Sequence, residues 1–172
     1  MKDLFQIVFV SLCLFSCLVA IGKANSQLLS PDPLFDAADR ANYSDAQKAL
    51  LADSSPNVRG EKRVTALMAA ARAGAVDLVE LLLDYKAIPD LADSEGNTAL
   101  MYAALNDFDE IVNILIGAGA SINRANKQGN TALMRAAEAG SNFSVMALLS
   151  AGADHTLTDF TGRTAFDLAR EN

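Results

Sequence analysis

The chain has 172 residues, with 21 acidic against 14 basic side chains and a net charge of −7; it holds two cysteines and a single histidine. That balance excludes a nucleic-acid backbone as partner, because such binding needs a track of lysine and arginine and none occurs. With one histidine and so few cysteines, the usual ligands of a transition metal or members of a nucleophilic triad cannot be assembled.

In chain order, Met1-Lys2-Asp3 comes first and an almost purely apolar run follows from Leu4 to Ile21. The run leaves through Gly22-Lys23-Ala24 into polar Asn25, Ser26 and Gln27. This order resembles a secretory signal peptide over residues 1–24, with cleavage just after Ala24. The competing reading is an uncleaved membrane anchor, since the run is almost long enough to span a bilayer. Cys13 and Cys17 both lie inside this segment, so the mature chain 25–172 is expected to hold no disulfide. Leu14-Phe15-Ser16-Cys17 faintly matches a lipoprotein processing site, against which bulky Phe15 argues. Removal of the segment leaves 12 basic and 20 acidic side chains.

Beyond it the chain repeats itself. Thr65, Thr98, Thr131 and Thr164 recur every 33 residues, opening T-A-L-M three times and then T-A-F-D, with Gly96, Gly129 and Gly162 two residues ahead of the last three. A fixed period of this size means stacked units that cannot bury their apolar faces alone. Units run 63–95, 96–128 and 129–161, with a partial one over 162–172. Within one copy, Gly96-Asn97 turns the chain and Thr98 caps a helix start. Ala99, Leu100, Ala103 and Ala104 give a small-residue inner helix. Ile111, Val112, Ile114, Leu115 and Ile116 give an outer one, with Asp109, Glu110 and Asn113 on its wet side. Gly117-Ala118-Gly119-Ala120 ends it. Gly74 and Gly140 sit between the two helices, and Asp107 in the middle copy is expected to take the same left-handed turn. Leu133, Val145, Leu148 and Leu149 serve as core in the third copy. Residues 31–62 read as a degenerate terminal cap, with Leu34 to Ala38 as inner helix and Ala46, Ala49, Leu50 and Leu51 on the outer one. Phe166, Leu168 and Ala169 build a last capping helix.

Period, order of features and residue types together resemble the ankyrin repeat over nearly the whole mature chain. The fold expected is an all-α repeat solenoid with β-hairpin fingers: about four helix pairs plus a terminal capping helix. Where that family has T-P-L-H, this chain has alanine for proline and Met68, Met101 and Met134 for histidine. The resemblance implies that the histidine's hydrogen bond is missing in each unit, with methionine filling its place as a packing residue. His155 reads as a partly covered surface group. No catalytic, cofactor or metal site is expected, and the chain is read as no enzyme.

Ankyrin proteins commonly bind other proteins through the concave side, made by finger tips and the exposed edge of the inner helices. Carried onto this chain, the resemblance selects Glu95, Asn97, Lys127, Asn130, Phe160 and Arg163 at the tips, and Arg72, Tyr102, Leu105 and Glu138 on the helix edge. These positions vary between copies while the framework does not, and Leu105, Phe160 and Tyr102 place apolar groups where solvation alone does not require them. The chain also resembles small exported bacterial ankyrin proteins, some of which support a periplasmic catalase. The leading expectation is a protein-binding module in the bacterial periplasm, or secreted, and monomeric without its partner. Alternatives are an immunity or inhibitor protein capping a toxin or hydrolase, and a secreted effector binding a host protein. Self-association through an exposed repeat end is a structural variant. In a periplasm the sequons Asn42-Tyr43-Ser44 and Asn142-Phe143-Ser144 carry no glycan.

Overall fold

Each repeat begins with a threonine hydroxyl facing an amide that the helix leaves unpaired. Thr65, Thr98, Thr131 and Thr164 accept from the amides of Met68, Met101, Met134 and Asp167 at 3.3–3.5 Å. The structure is a computed structural model describing residues 32–171; the signal, anchor and lipidation readings of residues 1–24 lie outside the described residues. Among those residues are nine α-helices. The inner set is α1 (Pro33–Asp39), α3 (Ala66–Ala73), α5 (Ala99–Leu105), α7 (Ala132–Ala139) and α9 (Ala165–Arg170); the outer set is α2 (Tyr43–Leu51), α4 (Val76–Asp84), α6 (Asp109–Gly117) and α8 (Asn142–Ser150). Inner helices stack on inner and outer on outer, and each outer helix also packs on its own inner partner. This is an all-α repeat solenoid.

The alanines explain the close stacking. Ala66, Ala69, Ala70 and Ala71 of α3, Ala99, Ala103 and Ala104 of α5, and Ala132, Ala136 and Ala137 of α7 are all buried. Met68, Met101 and Met134 are 1–2% exposed and fill the space between these small side chains. In the first unit methionine does more than fill space. The Met68 sulfur accepts the Thr65 amide at 3.5 Å, so a weak bond stands where none was expected. In the last unit Asp167 closes a full capping box, accepting the Thr164 amide at 2.9 Å. The turn between helices is left-handed at Gly74, Asp107 and Gly140 (φ 71°, 59° and 72°), as read for the aspartate. Asp107 gains a further role there, accepting the Ser144 amide of α8 at 2.8 Å.

Several expectations need correction at the ends. Leu51 is 70% exposed, Leu149 45% and Phe166 69%, so they add little to the core; Ala169 is also exposed, and the last helix is held by Ala165 and Leu168. For Leu149 and Phe166 a slot that is wholly or partly covered in the central repeats has lost its neighbour at the end, whereas the Leu51 slot faces water in every copy, as Asp84, Gly117 and Ser150 do. His155 lies at the surface, on the edge of a groove beside α8. The fingers are also plainer than hairpins. Each is closed by a bond between its end residues, Gly60 to Val64, Asp93 to Asn97, Asn126 to Asn130 and Asp159 to Arg163, at 2.8–3.0 Å, with one further backbone bond inside the turn. Single bridges at Arg59–Thr65 and Thr158–Thr164 are the only β pairing among the described residues.

Candidate protein-binding surface

A turn of five residues leaves backbone amides unpaired, and in the last three fingers one side chain satisfies them, where the first has Gly60. Asp93 Oδ1 accepts from the amides of Glu95 and Asn97, both at 2.8 Å. Asn126 Oδ1 accepts from Gln128 and Asn130 at 3.0 and 2.9 Å, and Asp159 Oδ1 from Thr161 and Arg163 at 2.8 and 3.0 Å. These three residues are 33 apart and 6–8% exposed, the commonest way a short polar side chain stabilises a turn. The sequence reading passed over them, although their period is as regular as that of the threonines. A second row of the same kind runs along the return loops, where Asn57, Asp90 and Asn123 accept the amides of Ile88, Ser121 and Asp154 at 2.8–2.9 Å.

Successive fingers are joined tip to tip by a backbone bond at each step. The amides of Ser94, Lys127 and Phe160 donate to the carbonyls of Lys62, Glu95 and Gln128 at 2.7, 3.0 and 3.1 Å. The tips approach so closely that a Cβ on Gly129 would lie 2.8 Å from the Phe160 nitrogen, and Gly129 also has φ +84°. Only glycine meets both demands.

On this frame the selected side chains divide into two groups. Asn97, Asn130 and Tyr102 are turned inward. Tyr102 Oη donates to Asp93 Oδ2 at 2.7 Å, and Asn97 Nδ2 donates to the same oxygen at 3.2 Å while its own carbonyl accepts from Asn126 Nδ2 at 2.8 Å. One repeat later Asp159 replaces Asn126 and offers no N–H, and the side-chain carbonyl of Asn130 is buried with no partner. Burial and the bond to the Asp93 carboxylate push the Tyr102 phenol up to about 12. Burial alone would raise the Asp93 carboxyl, but the bonds from Tyr102 and from Asn97 and Glu95 outweigh it and hold it below its ordinary value. Arg163 belongs partly to this frame as well: its guanidinium contacts buried Asp159 at 3.0 Å and Glu171 at 2.9 Å. The Thr161 hydroxyl and the Arg163 amide hold the Asp159 carboxyl well below the usual carboxylate range.

The remaining residues face outward. Glu95, Lys127 and Phe160 are exposed at the tips, Phe160 at 79%. Asp39, Arg72, Leu105, Glu138 and Glu171 form one column at 33-residue intervals along the inner-helix edge. Arg72 pairs with Asp39 across the first interface at 2.7 Å, both about half exposed, and Glu138 pairs with Arg135 at 2.6 Å. Such pairs contribute little to stability and leave charges available to a partner. Half-buried Leu105 sits between them.

A family model described as ankyrin repeats (3 copies) matches residues 34–126 and 109–172. The chain belongs to the ankyrin repeat family. No curated protein matched it. Ankyrin repeats are in general modules that bind other proteins, and in this ankyrin chain the outward-facing tip residues and the inner-helix edge differ from copy to copy. Among the described residues no group of three or more histidine, cysteine, aspartate or glutamate side chains converges to hold a metal ion, and no helix is long and apolar enough to cross a membrane.

Proposed function

We propose that this ankyrin protein is a non-enzymatic adaptor, exported to the bacterial periplasm, that binds one partner protein through its finger tips and inner-helix edge. The observation that carries the reading is Phe160: 79% exposed on a tip whose backbone is fixed by three hydrogen bonds, it is a rigid aromatic side chain offered to something outside the chain. Lys127 on the adjoining finger, with Glu95 and Arg72 further along the same array, adds charges that would fix register and orientation. The first candidate partner is a periplasmic catalase, on the resemblance to small exported ankyrin proteins of that kind. Support of oxidative-stress defence follows from that partner.

The test uses Arg72→Glu, Lys127→Glu and Phe160→Ser together. Arg163 is left in place because its removal would strip buried Asp159 of its ion pair. The chain is recovered from periplasmic extract and its stoichiometric companions are identified by mass spectrometry. One companion, lost with the folded triple variant, supports the adaptor reading, and a catalase supports the specific one. A toxin or hydrolase as companion would move the function to inhibition. Binding undiminished by the triple variant refutes the surface.

A further inference from the structure

Outer helices in this chain normally show acid to water. α4 carries Asp77, Glu80 and Asp84, and α6 carries Asp109 and Glu110. α8 reads Asn-Phe-Ser-Val-Met-Ala-Leu-Leu-Ser and has no charged residue. Apart from Asn142 and Ser150, its exposed residues are large and apolar: Phe143 is 62% exposed, Met146 61% and Leu149 45%, a patch of the kind that something usually covers. Next to it, Val145 and Leu149 of α8 with Ala165 and Phe166 of α9 line a groove of about 490 Å³, floored by Leu133 and Ala137. The same surface one repeat earlier, between α5 and α6, is where α8 itself packs. The groove therefore continues an interface the fold already uses.

We infer that this end of the array is covered by the same end of a second copy of the chain, forming a two-fold dimer. Three arguments favour this occupant. First, with large apolar side chains offering about 200 Å² each, Phe143, Met146, Leu149 and Phe166 expose roughly 500 Å² between them. Two copies would hide about twice that, which with the groove walls reaches the range of stable interfaces. Second, the chain carries a net charge of −7, so two copies repel except where a face is uncharged, and α8 is that face. Third, the opposite end does not fit. Around Pro33 it presents Asp36–Arg40 and Asp45–Lys48 ion pairs at 3.0 and 2.9 Å, which a head-to-tail stack would press against uncharged α8 and desolvate. The charges of the C-terminal end lie on α9, with Arg170 5.9 Å over the Phe166 ring, so a two-fold contact centres on α8. An end that matches itself closes as a dimer and does not grow into a filament. The dimer replaces the monomer expected from sequence and carries two fingertip faces, so an oligomeric partner would be held at two points.

The test is sedimentation velocity on the protein expressed from its full sequence, from roughly 1 µM to several hundred µM. The expected result is a mass rising from one chain to two. Phe143→Glu and Met146→Glu, each checked for native circular dichroism, should raise the dissociation constant about 100-fold, while Arg72→Glu leaves it unchanged. Met146→Cys, on the proposed face, should oxidise to a covalent dimer much faster than Glu80→Cys on α4, and equal rates would count against the two-fold contact. A single-chain mass throughout overturns the proposal, as does a rise that survives both glutamates. A single chain that instead binds a synthetic peptide of the α8 sequence would assign the groove to a partner's helix and also overturn it.

Discussion

Replacing Asn126 with alanine tests whether the buried Asx side chains hold the fingers. Three hydrogen bonds vanish: those from the Gln128 and Asn130 amides and the one Asn126 Nδ2 gives to Asn97. A typical bond of this kind contributes about 1 kcal/mol net, more where the orphaned group stays buried. Gln128 is exposed, so water replaces its lost acceptor, whereas Asn97 and Asn130 are half-buried and recover less. The expected cost is about 2–3 kcal/mol, or about 5–10 °C in melting temperature for a domain of this size. Asn126→Asp keeps both amide bonds and loses only the donor to Asn97, so its cost should stay near 1 kcal/mol. Urea unfolding followed by circular dichroism gives the totals. Hydrogen exchange gives the location, since Gln128 and Asn130 should lose protection in the alanine variant while the amides of α5 keep theirs. A loss below about 0.5 kcal/mol for alanine, or exchange that rises evenly over the repeat, would refute the assignment.

Gly129→Ala should cost about 2 kcal/mol or more, combining left-handed strain with contact on the Phe160 backbone, while Gly140→Ala, at φ 72° with nothing near, should cost about 1 kcal/mol from strain alone; paired thermal melts read the difference. The depressed Asp159 and Asp93 carboxyls mean that the unfolded chain binds more protons in acid than the folded one, so their stabilisation is complete above about pH 4–5 and is lost as pH falls below about 4. Asp159→Asn should flatten that acid limb in melts between about pH 2 and 7. Met101→Ala should lose about 2–4 kcal/mol in chemical denaturation, and Met101→Leu under about 1.5 kcal/mol, because the slot asks for volume and not for sulfur.

How far these features could be read in advance depended on whether a residue answered to its own repeat or to its neighbour. The threonine caps, the small inner-helix residues and the left-handed Asp107 follow from rules acting within a few residues, and each was legible. Asp93, Asn126 and Asp159 were equally periodic, but an aspartate or asparagine near a glycine turn is so ordinary that its burial gave no sign of itself. The inward turn of Tyr102 and Asn97 depends on Asp93 and Asn126, residues that lie beside them only once the finger is folded. Leu149 and Phe166 follow the repeat pattern yet lie exposed, because a pattern records which face a residue takes and not whether another repeat covers it; Leu51 breaks the pattern, standing where Asp84, Gly117 and Ser150 face water.

The tip-to-tip joins use main-chain atoms on both sides, at Lys62–Ser94, Glu95–Lys127 and Gln128–Phe160. A bond of that kind is indifferent to the side chain that rides on it. Mutation can therefore rewrite the residue at the tip of each finger, from Ser94 to Lys127 to Phe160, without asking the scaffold's permission. Descent with such changes would yield proteins of one shape and many tastes, diverging in whom they meet long before they diverge in how they fold.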